Sequence, residues 1–215
     1  MEKYITAFRF TRGGSLFCYT HPMSALSQNV ILFLAVSGVL LYYPLNRIHA
    51  PGRWFFHDTI FDRYIPLIPY FVIPYVALFP YMVATVFFVA PTTHALQLFA
   101  TTAIAAWSAA FVWYFAPAGI LRKREIGPDF FSRMIIWIYE HDSENNTFPS
   151  SHVFYAIICT YFLVLAFPAY AIIFIVIGTL IAVSTVLVKQ HHAADILGGI
   201  VWAIASIFLA NFLVG

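Results

Sequence analysis

The chain has 215 residues, of which 62% are hydrophobic and only 9% charged, with a net charge of +2 and a mean hydropathy of +0.84. A soluble globular domain carries about 25% charged residues, so this composition excludes one and points to a multi-pass integral membrane protein. No Lys/Arg block suits nucleic acid, and two cysteines, Cys18 and Cys159, make no disulfide framework.

Residues 1–27 carry Lys3, Arg9 and Arg12 but lack the short apolar core of a cleavable signal. They are expected at the membrane interface, as an amphipathic or irregular segment. Apolar runs then cover about 28–45, 64–90, 94–116, 150–167, 169–188 and 193–214. Runs of roughly 18–25 residues are long enough to span a bilayer. Pro66, Pro69, Pro74 and Pro80 predict a kinked or extended start to the second run. Residues 130–139, inside the polar stretch 117–149, read as a short interfacial helix. The fold class expected is all-α: one membrane domain over 1–215, six transmembrane helices in a bundle, and an active site at one membrane face.

The second-to-third and fourth-to-fifth connections are short and uncharged. The other three hold nearly all the charge and, by alternation, share one face opposite the termini. Two polar stretches end there. One is Asn145-Asn146-Thr147-Phe148-Pro149-Ser150-Ser151-His152, and the other runs from Ser184 to Asp195. A helix of about 20 residues rises about 30 Å, so out along one span and back along the next returns the chain to its starting face. His152 and His191 are therefore expected to meet.

Spacing suggests how they would work. His191 and Asp195 are four apart, which on a helix places the carboxylate beside the imidazole to fix its tautomer. His192 would point about 100° away and reads as a bystander. Ser150 and Ser151 open the fourth helix, and Arg122, Lys123, Arg124 and Lys189 add positive charge at the same rim. A helix N-terminus among cations suits a phosphate. Together these groups describe phosphoryl transfer through a phosphohistidine on His191, with His152 as the acid. A zinc site of His152, His191, His192 and Asp195 is the metal alternative. The surrounding cations suit an anion better, so neither metal nor cofactor is expected.

These residues resemble the type 2 phosphatidic acid phosphatase superfamily. Its second motif reads Pro-Ser-Gly-His, matched by Pro149-Ser150-Ser151-His152 with Ser151 in place of Gly. Its third reads Ser-Arg, five residues, His, three residues, Asp; Ser184, His191 and Asp195 match it, with Thr185 where the family has Arg. Lys189 is the candidate to supply that missing charge. The first motif, ending in Arg-Pro, is degraded to Arg122-Lys123-Arg124-Glu125, with Arg124 the favoured match. The run Asp62-Arg63-Tyr64-Ile65-Pro66 also resembles a segment seen ahead of the second span in such proteins.

The resemblance implies a metal-independent lipid phosphatase, a phosphoric ester hydrolase acting on a lipid monoester or pyrophosphate. His191 would attack phosphorus, Asp195 orient it and His152 protonate the leaving alcohol; the substrate tail would arrive from the bilayer. One alternative is a phosphotransferase of the sphingolipid or inositol-phosphate head-group synthase type. The other is a non-catalytic lipid-binding or transport member, suggested by the missing Arg-Pro and by Thr185. Loop charge does not orient the chain. The resemblance implies an outward-facing site, periplasmic for a bacterial inner membrane.

Overall fold

The computed structural model describes residues 4–10, 16–22, 25–48, 58–122 and 126–214, the side chains from residue 27 onward. Two strands, β1 (Tyr4–Phe10) and β2 (Leu16–Pro22), pair antiparallel, with Tyr4 opposite Pro22. The segment expected to be amphipathic or irregular thus contains a hairpin, a small departure from an all-α chain. Everything described after it is helical or loop.

The helices are α1 (Ala25–Leu40), α2 (Tyr42–Ile48), α3 (Val72–Val76), α4 (Leu78–Val89), α5 (Ala95–Phe115), α6 (Phe130–His141), α7 (Ser151–Ala166), α8 (Ala171–Leu187) and α9 (Ala193–Val214). Five stretches are long and apolar enough to cross a membrane: Ser27–Ile48, Pro69–Val89, Ala95–Phe115, Pro168–Leu187 and Ala193–Val214. The sixth expected span is shorter. At 16 residues, α7 rises about 24 Å, short of a hydrocarbon core of about 30 Å. The proline-rich start of the second stretch is broken as expected: 3₁₀ turns at Ile60–Arg63 and Pro69–Phe71 lead into α3, and Ala77 separates α3 from α4.

Burial explains the arrangement. Helix α7 is the hub, packed by α4, α5, α8 and α9, while α1 lies outside against α5. Val153, Phe154, Ala156, Ile158, Phe162 and Leu163 of α7 are buried. The outer helices instead expose large apolar side chains, among them Phe33, Phe87, Phe111, Ile172 and Phe208. A soluble monomer rarely leaves such a surface uncovered; it suits a helix bundle set in lipid. Cys159 is buried and free in the core.

Close approach at two glycines sets the position of α9. A Cβ on Gly199 would stand 2.7 Å from Val153 Cβ and 2.9 Å from the Ser150 carbonyl oxygen; one on Gly198 would meet the Phe148 ring. Only glycine lets α9 seat this tightly on the start of α7, as small residues do between membrane helices.

Candidate active site

The three charged connections converge, as loop alternation predicted. Lys189 Nζ donates to the carbonyl oxygens of Asp62 and Ile65, and the Ala193 N–H donates to Asp62 Oδ1 at 2.8 Å. Arg122 reaches Gln190 Oε1, and the Tyr42 hydroxyl donates to Asp142 at 3.0 Å. The two motif stretches are joined directly: the Ser150 N–H donates to the carbonyl oxygen of Asp195 at 3.3 Å.

His191 and His152 meet, with ring centres 6.2 Å apart. His152 sits in the first turn of α7, stacked on Tyr75 at 4.1 Å with Phe79 edge-on. Its Nε2 has no hydrogen-bond partner among the described residues. The Ser150 side chain is the α7 N-cap and accepts from the Val153 N–H. Ser151 follows as the first helical residue.

His191 has a nearer partner beside the expected one. Its Nδ1 lies 2.9 Å from the carbonyl oxygen of Thr147 and 3.5 Å from Asp195 Oδ2. The expected Asp195 does stand at ion-pair distance, although not within a regular helical turn: α9 begins only at Ala193, leaving His191 in the preceding turn. Asp195 also closes the first turn of α9, its Oδ2 accepting the His192 N–H at 2.8 Å. A carbonyl oxygen can only accept, so Nδ1 carries a proton, and in the neutral ring Nε2 then holds the lone pair. That is the tautomer a phosphorus nucleophile needs.

The backbone on both sides is unusual. Asn146 has φ 57° and Lys189 φ 55°, the two left-handed non-glycine residues of the described chain. Asn tolerates this region well, whereas Lys does so at a cost. Asn146 directly precedes the carbonyl that holds His191, and Lys189 stands two residues before the ring. Each bend aims one half of the contact.

A pocket of about 670 Å³ opens beside His191. Its walls include Asp58, Asp62 and Arg63 from the first loop, Leu121 and Tyr139 from the third, and Lys189, His191 and His192 from the fifth. His192, read from sequence as a bystander, is therefore a wall residue. Neither His152 nor either serine lines it. The Tyr139 hydroxyl donates to the Val188 carbonyl, and burial pushes its pKa up to about 12 against the opposing pull of Arg122.

The expected phosphate cations are placed differently from one another. Arg122 points inward: its side chain is 2% exposed, and its guanidinium donates to the carbonyl oxygens of Asp142 and Ser143 at 2.7 Å each, to Gln190 and to the Asp142 carboxylate. It is a brace between loops, not a wall of the pocket. Lys189 lines the pocket while tying down the first loop. Lys123 and Arg124 lie outside the described residues. Arg63 was missed as a site residue: it lines the pocket, is exposed, and makes no ion pair among the described residues. The one sequence signal for it was the Asp62-to-Pro66 run.

Asp62 pins this loop. Its carboxylate accepts the Thr59 N–H and hydroxyl as well as the Ala193 N–H. Partial burial pushes the carboxyl up. The hydrogen bonds from Ala193 and Thr59, with His192 nearby, outweigh burial and hold it below its ordinary value. Among the described residues, no three His, Cys, Asp or Glu side chains converge as metal ligands, so the zinc grouping of His152, His191, His192 and Asp195 does not form.

Residues 121–214 match the family model described as PAP2 superfamily, the superfamily that the two motifs resemble. The match takes in both motif stretches and the helices α6 to α9. No curated protein and no solved structure matches the chain.

Proposed function

We propose that this protein is a membrane lipid phosphatase working through a phosphohistidine on His191. The observation that carries it is the contact of His191 Nδ1 with the Thr147 carbonyl, which assigns the ring proton to Nδ1 and so keeps Nε2 of the neutral imidazole for attack beside a cation-bearing pocket. Nε2 attacks phosphorus, the phosphorus–oxygen bond to the lipid alcohol breaks, and the leaving oxygen takes a proton. In this reading His152, its ring centre 6.2 Å from that of His191, supplies that proton, and a water activated by it then hydrolyses the phosphohistidine.

In this reading α7 is the sixth span, its shortness accommodated because the surrounding helices shield it from lipid. The substrate tail stays in the bilayer while its phosphate reaches the pocket, and the site faces outward. Support for these points comes from the exposed apolar belt, the family match and the gathering of polar loops at one end.

A panel of lipid monophosphates and pyrophosphates, assayed for phosphate release with and without chelator, tests the reading. Wild-type protein should release phosphate from at least one of them, chelator notwithstanding, and His191→Ala should not. Release by His191→Ala at near wild-type rate would sink the mechanism.

A second reading, transfer to a lipid alcohol, draws on an apolar pocket of about 190 Å³ between α1, α4, α5 and α7. Tyr155 lines it, three residues along α7 from His152, so an acceptor tail could sit close to the site. Labelled phospholipid supplied with and without a lipid alcohol distinguishes the two products.

A further inference from the structure

We propose that Arg63 is the phosphate receptor of the His191 pocket. This rests on the reading of that pocket as a phosphate site, and it deepens it. Of the phosphate cations expected from sequence, Arg122 has its guanidinium committed to three carbonyls, a carboxylate and a glutamine side chain, and is buried away from the pocket. Arg63 is its opposite. It lines the same pocket as His191, it is exposed, and no hydrogen bond or ion pair to a described residue occupies its guanidinium.

Its backbone is held where it is useful. On one side, the Asp62 carboxylate is pinned by Ala193 and Thr59. On the other, the Ile65 carbonyl accepts from Lys189 Nζ, which also holds the Asp62 carbonyl. Arg63 therefore sits at the centre of a loop stitched to the segment carrying His191. A receptor whose loop is already ordered loses less conformational freedom on binding. The Asp62 carboxylate does not cancel it, being taken up by its three donors.

Guanidinium is the side chain suited to this task. Its planar fork meets phosphate oxygens two at a time, whereas an ammonium offers a point charge. Arg63 would hold non-bridging oxygens of the substrate phosphate while His191 attacks. The same chemistry could instead anchor the loop to headgroup phosphates of the surrounding bilayer, and the test separates these sources.

The probe is inorganic phosphate, titrated calorimetrically into the full chain in non-ionic detergent. Arg63→Ala should weaken binding by about tenfold or more, and Arg63→Lys by less, as expected for the loss of a charge-assisted pair. Arg133→Ala, an exposed change outside the pocket, should match wild type. Binding by Arg63→Ala within twofold of wild type overturns the proposal, as does absence of phosphate binding by the folded wild type. Unchanged phosphate binding with altered attachment to anionic vesicles would make Arg63 a surface anchor and overturn it too. Phosphate release from the lipid panel is measured in parallel. A protein that binds phosphate through Arg63 yet hydrolyses no lipid retains this receptor and loses the phosphatase reading.

Discussion

His191 Nδ1 stands 2.9 Å from the carbonyl oxygen of Thr147, closer than the 3.5 Å that separates it from the Asp195 carboxylate. A main-chain atom, contributed by the stretch that leads into α7, therefore sets the tautomer of the candidate nucleophile. Asp195 adds charge next to it and caps α9. The two roles predict unequal losses. His191→Ala should fall to background, while Asp195→Asn, which can still accept the His192 N–H, should keep activity within about a hundredfold of wild type. Phosphate-release rates check this. Equal loss in both variants would show that the carboxylate, not the carbonyl, governs the imidazole.

Arg122 should behave as a structural residue. Removing it leaves buried Gln190 and the carbonyl oxygens of Asp142 and Ser143 without their donor and takes the ion pair from the half-buried Asp142 carboxylate, which keeps Tyr42 and Asn46. Arg122→Ala is expected to destabilise the fold by about 3–5 kcal/mol, the range for breaking a buried pair. Arg122→Lys should recover only part of it, because one ammonium cannot reach all five acceptors. Thermal unfolding without substrate is the measurement. A normal melting temperature for Arg122→Ala, with weakened phosphate binding, would return this residue to the binding surface.

Gly199 offers a test of how the two motif stretches are held together. Its Cβ would crowd Val153 and the Ser150 carbonyl, groups that belong to a hydrogen-bonded helix start and cannot easily yield. Gly199→Ala should cost about 1–3 kcal/mol, as overpacking does, and Gly199→Val more. Activity should drop with it, since α9 carries Asp195 and α7 carries His152. Retention of full activity and stability by Gly199→Val would mean that the helices can separate without harm to the site.

Asp62 carries a pH dependence whose sign follows from its lowered pKa. A carboxyl held below its unfolded value contributes stability above that unfolded value. The contribution is lost as pH falls through the lower, folded one. The first loop should therefore stay latched through neutral and mildly acidic pH and loosen only below the ordinary carboxylate range. Hydrogen exchange at the Ala193 and Thr59 amides reads this directly. In Asp62→Asn those amides should exchange faster at neutral pH and show a flatter acid response. Protection unchanged by the substitution would remove Asp62 from the latch.

What the sequence by itself determined is the layout. Apolar runs of spanning length, alternating short and charged connections, and motif residues at the ends of those runs require His152 and His191 to meet. These are consequences of local periodicity and of a chain that must return to its starting face. The convergence of loops one, three and five follows from the same reasoning, and so does the kinked start of the second span. Only the tertiary structure decided which group touches which. Arg122 is an expected cation and Arg63 is not, yet the first turns into a cage of carbonyls and the second lines the pocket. The spacing of His191 and Asp195 suggested a pair, which forms at 3.5 Å, yet with α9 starting at Ala193 a main-chain carbonyl stands nearer to the ring. Partner choice within about 3 Å depends on backbone path, here on two left-handed residues, a glycine contact and a helix boundary. None of these is encoded in the distance between two residues along the chain.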